Sequence, residues 1–221
     1  MPIIIIMLLL ITAIFFPKLI QYNRSQYKEE SGNGFGTTVF NKDNYGEFLA
    51  FTYLEEYEIY RKLITNRKFL QKDQGPTTLE LMMIHEGGIY VFDVNNCQGM
   101  VKGEGESEHW MRSYKNKEQT FKNPLLKNKE RIQLLKSYFP EVEESRFKSY
   151  VLFNNNCTLA MEERDFEQGV VLKMMELIKH LNEEILESEK VLSKTEIDNI
   201  YEVIKNETVK RESAKKETGK R

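Results

Sequence analysis

The chain has 221 residues, enough for one domain of the usual ~100 to 200 residues with appendages. Its 32 lysines and arginines against 34 acids give a formal net charge of −2. That balance excludes binding of nucleic acid through overall charge and leaves only local patches for it. The two cysteines, Cys97 and Cys157, have neither metal-type spacing nor a disulfide framework around them, so they read as ordinary small buried residues of a protein in a reducing compartment.

The run from Pro2 to Pro17 is uncharged, and with Leu19 and Ile20 it approaches the ~20 residues that cross a bilayer. No lysine or arginine precedes it and no A-x-A pattern follows. Residues 1–21 therefore read as a transmembrane anchor in preference to a cleaved signal sequence or a buried helix. Lys18, Arg24 and Lys28 lie after the run, and the positive-inside tendency places the remainder in the cytoplasm, as a single-pass protein of the cell membrane. The N-x-S/T sequons at Asn23, Asn156 and Asn206 are then coincidental. Residues 22–40, with SGNGFG among them, read as a polar linker that holds the domain off the membrane.

From Asn44, apolar residues at Phe48, Leu49, Tyr53, Tyr57, Tyr60, Leu63 and Ile64 recur at roughly helical spacing and predict an amphipathic helix. Glu47 falls in its first turn, where an acid is ordinarily a partner of the helix dipole. Asn66 to Lys72 is a predicted first strand, and Gln74-Gly75-Pro76 a turn. The centre of the chain is TTLELMMIHEGGIYVFDVNN, residues 77–96. It reads as a strand from Leu79 to His85, a Glu86-Gly87-Gly88 turn whose glycines take positive φ, and a β-branched and aromatic strand from Ile89. With that hairpin closed, Glu80 and Asp93 point toward one place, and such a pair of acids suits a hard divalent cation such as Mg²⁺.

Short strands are predicted at residues 99–103 and 108–114, the second holding Trp110, the single tryptophan, as a packing residue. Asn123 before Pro124 opens a helix with Leu125, Leu126, Ile132, Leu135 and Phe139 on its apolar face. Lys127, Lys129, Arg131 and Lys136 fall on the other face, which reads as solvated; Pro140 ends the helix. Residues 147–153 predict a strand, 166–190 a helical region and 195–205 a last helix opened by a capping box from Ser193 to Glu196. His85, His109 and His180 are not grouped and read as structural. The fold class is α/β, a mixed sheet flanked by helices behind one transmembrane helix. The divisions are an anchor at 1–21, a linker at 22–40, the main domain at 41–155, a C-terminal helical region at 156–206 and a disordered charged tail at 207–221.

Tyr45-Gly46-Glu47, the run TTLELMMIHEGGIYVFDVNN, Gln98-Gly99, Trp110 and Phe121-Lys122-Asn123-Pro124 together resemble the NERD (nuclease-related domain) family over roughly residues 43–155. The resemblance implies a restriction-endonuclease-like fold of the PD-(D/E)xK superfamily, placed behind a membrane segment, with nucleic acid as the ancestral substrate. Carried over position by position, Glu47 matches the family's helix acid. Glu80 stands at its aspartate position, Asp93 at its glutamate position, and Asn95 where the family has a lysine. Thr78 replaces a usual glutamate, and Lys127 stands where glutamine is more frequent.

In nucleases of this kind the acids hold Mg²⁺, while the lysine orients the attacking water and stabilises developing charge. Loss of one such group typically costs ~10² to 10³ in rate. The site implied by the resemblance is Glu47, Glu80, Asp93, Asn95 and Lys127, with Glu80 and Asp93 as the metal ligands. The expected function is a membrane-tethered, catalytically degenerate nuclease domain that binds nucleic acid or a protein partner. Two alternatives stand beside it. One is an active Mg²⁺-dependent nuclease in which Lys127, or failing that Lys102, supplies the missing lysine. The other is a membrane-tethered interaction scaffold that works through the helices of residues 166–205.

Overall fold

Alternation along the central strands builds a sheet buried on both faces. In the computed structural model, which describes residues 2–71 and 75–218, three strands run in succession: β1 (Arg61–Gln71), β2 (Gly75–His85) and β3 (Gly88–Asn95). Leu63, Leu81, Met83, Tyr90 and Phe92 face one core cluster. Their neighbours Ile64, Met82, Ile84, Ile89 and Val91 face another. A strand with apolar residues on both faces needs cover on both, and helices supply it.

The remaining strands are β4 (Gly99–Lys102), β5 (His109–Tyr114), β6 (Lys117–Lys122), β7 (Phe147–Phe153), β8 (Cys157–Leu159), β9 (Asp165–Phe166) and β10 (Gly169–Lys173). They form a six-stranded sheet in the order β1-β2-β3-β7-β10-β9 and a four-stranded sheet in the order β6-β5-β4-β8. Both are mixed: β7 runs parallel to β3 and β10, and β8 parallel to β4, while the other pairs are antiparallel.

The helices are α1 (Pro2–Arg24), α2 (Tyr27–Ser31), α3 (Phe35–Phe40), α4 (Lys42–Glu55), α5 (Pro124–Tyr138), α6 (Leu177–Glu187) and α7 (Lys194–Thr218). At ~1.5 Å per residue, α1 is long and apolar enough to cross a membrane, and none of its apolar window is buried. Helix α5 crosses over between the parallel strands β3 and β7. Its N-cap Asn123 accepts from Leu125 N–H and donates from its amide to the carbonyls of Gly105 and Ser107, each at 2.8 Å. Trp110 is buried in a third cluster, stacked on Phe153, with its indole N–H donating to Glu104 O.

Several expectations change. The helix expected to run from Asn44 to Ile64 stops at Glu55, and β1 begins at Arg61, before the expected Asn66. The Arg61 guanidinium satisfies the carbonyls of Glu55, Tyr57 and Ile59 at that helix end. Leu63 and Ile64 then fit a two-residue period better than a helical one. Of the expected Gln74-Gly75-Pro76 turn, Gln74 lies outside the described residues, as does Lys72 of the first strand, while Gly75 and Pro76 belong to β2. In the hairpin turn only Gly88 has positive φ, 141°.

Residues 22–40, expected as a linker, carry α2 and α3, and Tyr22 and Tyr27 pack in the core against Phe48. The helical region expected from Phe166 begins only at Met174. Before it, β9 and β10 extend the large sheet, with Val170 and Val171 paired to Tyr150 and Val151 of β7. The Ser193 to Glu196 capping box is present. Helix α7 continues to Thr218, through most of the segment expected to be a disordered tail, and Ile197, Ile200 and Ile204 bury against β1 and β2. The C-terminal helices are therefore part of the core.

Candidate functional site

A cleft of about 600 Å³ opens where the β2–β3 ladder ends, beside α4 and α5, and Glu47, Glu80, Asp93, Asn95 and Lys127 all line it. Strand register places the acids. Leu81 pairs with Phe92 at the end of the β2–β3 ladder, so Glu80 and Asp93 stand opposite one another one step beyond it. On the other side of β2 the ladder passes from Thr65↔Leu81 to Arg67↔Leu79, and Asn66, opposite Glu80, takes a φ of 53°. The sheet opens at Glu80.

Each carboxylate oxygen of this pair already has a protein donor. Asp93 Oδ2 accepts from Arg131 Nη1 at 2.6 Å and Lys127 Nζ at 3.1 Å, and Oδ1 accepts from Asn95 Nδ2 at 2.6 Å. Glu80 Oε1 accepts from Arg131 Nη2 at 2.7 Å, and Oε2 from Val94 N–H at 3.1 Å. Arg131 is itself held by donation to Thr78 O and to Asn128 Oδ1, both at 2.9 Å. The Asn128 amide in turn fastens α5 to the sheet through Val91 O and Tyr150 O.

Burial opposes charge at Asp93, but Arg131 and then Lys127 outweigh it and hold the carboxyl below its ordinary range. Burial, followed by the charge of Asp93, moves Glu80 upward. Arg131 gains: the two acids raise its pKa against the opposing effect of burial.

Glu47 lies in the second turn of α4, in surroundings that disfavour its charge. Burial raises its pKa to about 7, with Glu80 adding to the effect against the hydrogen bond from Thr65. Thr65 Oγ1 has one proton and contacts both Glu80 O, at 2.6 Å, and Glu47 Oε1. The hydroxyl thus shares its one proton between the carbonyl and the Glu47 carboxylate. Glu47 also receives the Tyr27 hydroxyl at 3.3 Å, which makes Tyr27, from the expected linker, part of the site.

These residues do not fit a resident divalent cation. Such an ion takes carboxylate oxygens with free lone pairs and net negative charge. Here Arg131 and Lys127 balance Glu80 and Asp93, and a cation has to displace them. Among the described residues no group of three or more His, Cys, Asp or Glu side chains is placed to hold a metal. In this structure Glu80 and Asp93, the acids expected as metal ligands, stand as a pair bridged by Arg131.

Sequence reasoning placed Arg131 on the solvated face of its helix; it is 6% exposed and points inward. The signal was present. Stepping back by four from the buried Leu135 gives Arg131 and then Lys127, one line along the helix. Lys102 is exposed on β4 and is not among the cleft residues. His85 is buried at the hairpin turn, where its Nδ1 accepts from Gly87 N–H.

Against this geometry, the family model for the nuclease-related domain (NERD) matches residues 42–154. No curated protein and no solved structure matches the chain.

Proposed function

The chain belongs to the nuclease-related domain family, and on that premise we propose that it is a membrane-anchored, nuclease-derived domain that binds nucleic acid in its cleft without cleaving it. The observation that supports this reading is Arg131, whose guanidinium bridges Glu80 and Asp93 where the family's chemistry needs a cation. The cleft keeps features suited to a nucleic-acid strand. Lys127, Lys122 and Arg112 line it for phosphates, and Phe121 stands among them as a surface for a base. With α1 in a membrane and the basic residues Lys18, Arg24 and Lys28 following the span, the domain lies on the cytoplasmic side.

The test uses the full chain in detergent. Single- and double-stranded DNA and RNA are incubated with Mg²⁺ and with Mn²⁺, and binding is followed by anisotropy over a salt series. The expected result is salt-sensitive binding and no cleavage above the level of an Asp93→Ala control. Metal-dependent cleavage that disappears in the control overturns the proposal.

That outcome favours the second reading, a Mg²⁺-dependent nuclease with a relocated lysine. Its support is the Lys127 amine, 3.1 Å from Asp93 and one-third exposed to the cleft. It requires Arg131 to leave both carboxylates.

A further inference from the structure

Cys97 and Cys157 are 60 positions apart in sequence, yet their sulfurs are 3.8 Å apart. The parallel β4–β8 pair explains the approach. Its first register position sets Gly99 beside Cys157, so the chain entering β4 carries Cys97 past the start of β8. Both thiols are free. They are unlike in surroundings: Cys97 is half-buried and lines the cleft, while Cys157 is 1% exposed in the cluster with Val101, Trp110 and Phe153. Arg112 of β5 lies beside Cys97 and lines the same cleft.

We propose that Cys97 and Cys157 form a dithiol site that a peroxide entering the cleft oxidises to an intramolecular disulfide, with Cys97 as the attacking thiol and Cys157 as the resolving one. In the first step the Cys97 thiolate attacks one oxygen of hydrogen peroxide and the O–O bond breaks. Hydroxide leaves and takes up the thiol's proton as water, and Cys97 becomes a sulfenic acid. In the second step the Cys157 sulfur attacks the Cys97 sulfur, the S–O bond breaks, and the departing hydroxide takes the Cys157 proton as a second water. The two thiols lose one hydrogen each, and the peroxide is reduced to water.

Geometry and electrostatics both favour this order. A disulfide needs sulfurs about 2.05 Å apart, so closure takes less than about 2 Å of side-chain movement. The hydrogen bond with Cys157, supported by Arg112 against burial, lowers the Cys97 thiol to about 7. Cys157 is moved upward by that same contact and by burial. The half-buried Cys97 sulfur is thus the nucleophile at neutral pH, and the buried one waits for the sulfenic acid. The bond joins the connection after β3, which begins at Asn96, to the first residue of β8, at the end of the connection after β7. Asn154 already links these two, donating from N–H to Asn95 O at 3.1 Å and from its amide to Asn96 Oδ1 at 2.5 Å. Oxidation therefore fixes one wall of the cleft.

The test is intact-mass analysis of the reduced full chain in detergent, treated at pH 7 with a small excess of hydrogen peroxide and then alkylated under denaturing conditions. The expected product has lost two hydrogens, takes no alkyl group at Cys97 or Cys157, is monomeric, and regains both thiols with dithiothreitol. Full alkylation of both cysteines after peroxide, or disulfide-linked dimers in place of the monomer, overturns the proposal. The roles are tested separately: Cys157→Ala should accumulate a dimedone adduct at Cys97, and Cys97→Ala should leave Cys157 unreactive. The reverse pattern refutes the assignment. The measurement on the unsubstituted chain decides the proposal even where a variant at the buried position does not fold.

Discussion

The Arg131 guanidinium lies 2.6 Å from the Asp93 carboxylate, in an ion pair in which neither side chain is more than 7% exposed. Two desolvated charges of this kind stabilise the fold only as a pair; one left alone is a buried charge without compensation. Arg131→Met should therefore lower the unfolding free energy by about 3 to 5 kcal/mol at pH 7. Asp93→Asn in the same chain should recover part of it, because the orphaned charge goes with it. The sign with pH follows from the depressed Asp93 pKa. That stabilisation is present above the unfolded value of about 3.9 and is lost as pH falls through the folded one. Denaturant midpoints compared between pH 7 and a series descending below the unfolded value of about 3.9 should show the penalty shrinking in acid, and an equal penalty throughout contradicts the pairing.

Glu47 works in the opposite direction. Its folded pKa of about 7 stands above the ordinary value of 4.5, so its contribution is fully present below about pH 4.5 and is lost as pH rises through about 7. Glu47→Gln keeps an acceptor for the Thr65 hydroxyl and removes the titration. Between pH 5 and pH 8 the unsubstituted chain should lose on the order of 3 kcal/mol relative to this variant. Parallel stability curves for the two proteins across that range would falsify the raised pKa of Glu47.

Much of this site was legible in the sequence, and the parts that were not share a physical cause. Leu79 to His85 reads as a strand because it is rich in apolar residues, and Ile89 to Phe92 because it is β-branched and aromatic; closing them across Gly88 places Glu80 opposite Asp93. Arg131 is hidden in the sequence because charge on a helix face ordinarily marks solvent, whereas a guanidinium that finds two carboxylates belongs inside. Tyr27 was hidden because a polar segment with scattered glycines looks like a linker until its aromatic residues find the core. Strands β8 and β9 are too short for any period to show. Gly169–Lys173 was absorbed into the helix that follows it, since only its parallel partner β7 makes it a strand.

The hairpin turn offers a test of what its two glycines do. Gly88 has a φ of 141°, and a β-carbon there would lie 2.3 Å from the backbone oxygen of Arg146. A β-carbon on Gly87 would meet the Ser188 hydroxyl at 2.6 Å, a side chain that can turn away. Gly88→Ala should cost about 2 to 5 kcal/mol, combining backbone strain with overpacking, and Gly87→Ala distinctly less. Thermal midpoints of the two variants give the ranking, and equal losses would show that the parallel approach of β7 does not constrain the turn.

Lys127 separates the readings of the cleft. Its amine contacts Asp93 while about one-third of its side chain is exposed, and Arg131 remains to compensate Asp93 when the lysine is gone. Lys127→Ala should therefore cost little stability, about 1 kcal/mol or less, because the lysine is partly solvated and Arg131 still compensates the buried Asp93. Its effect should fall on binding. An ammonium that meets one phosphate contributes uniformly across sequences, so affinity for nucleic acid should fall by roughly 5- to 10-fold and the salt slope by about 1. Unchanged affinity and slope would remove the cleft as the phosphate contact. Cleavage by the unsubstituted chain that vanishes in Lys127→Ala, with binding retained, would instead assign the lysine to the reaction.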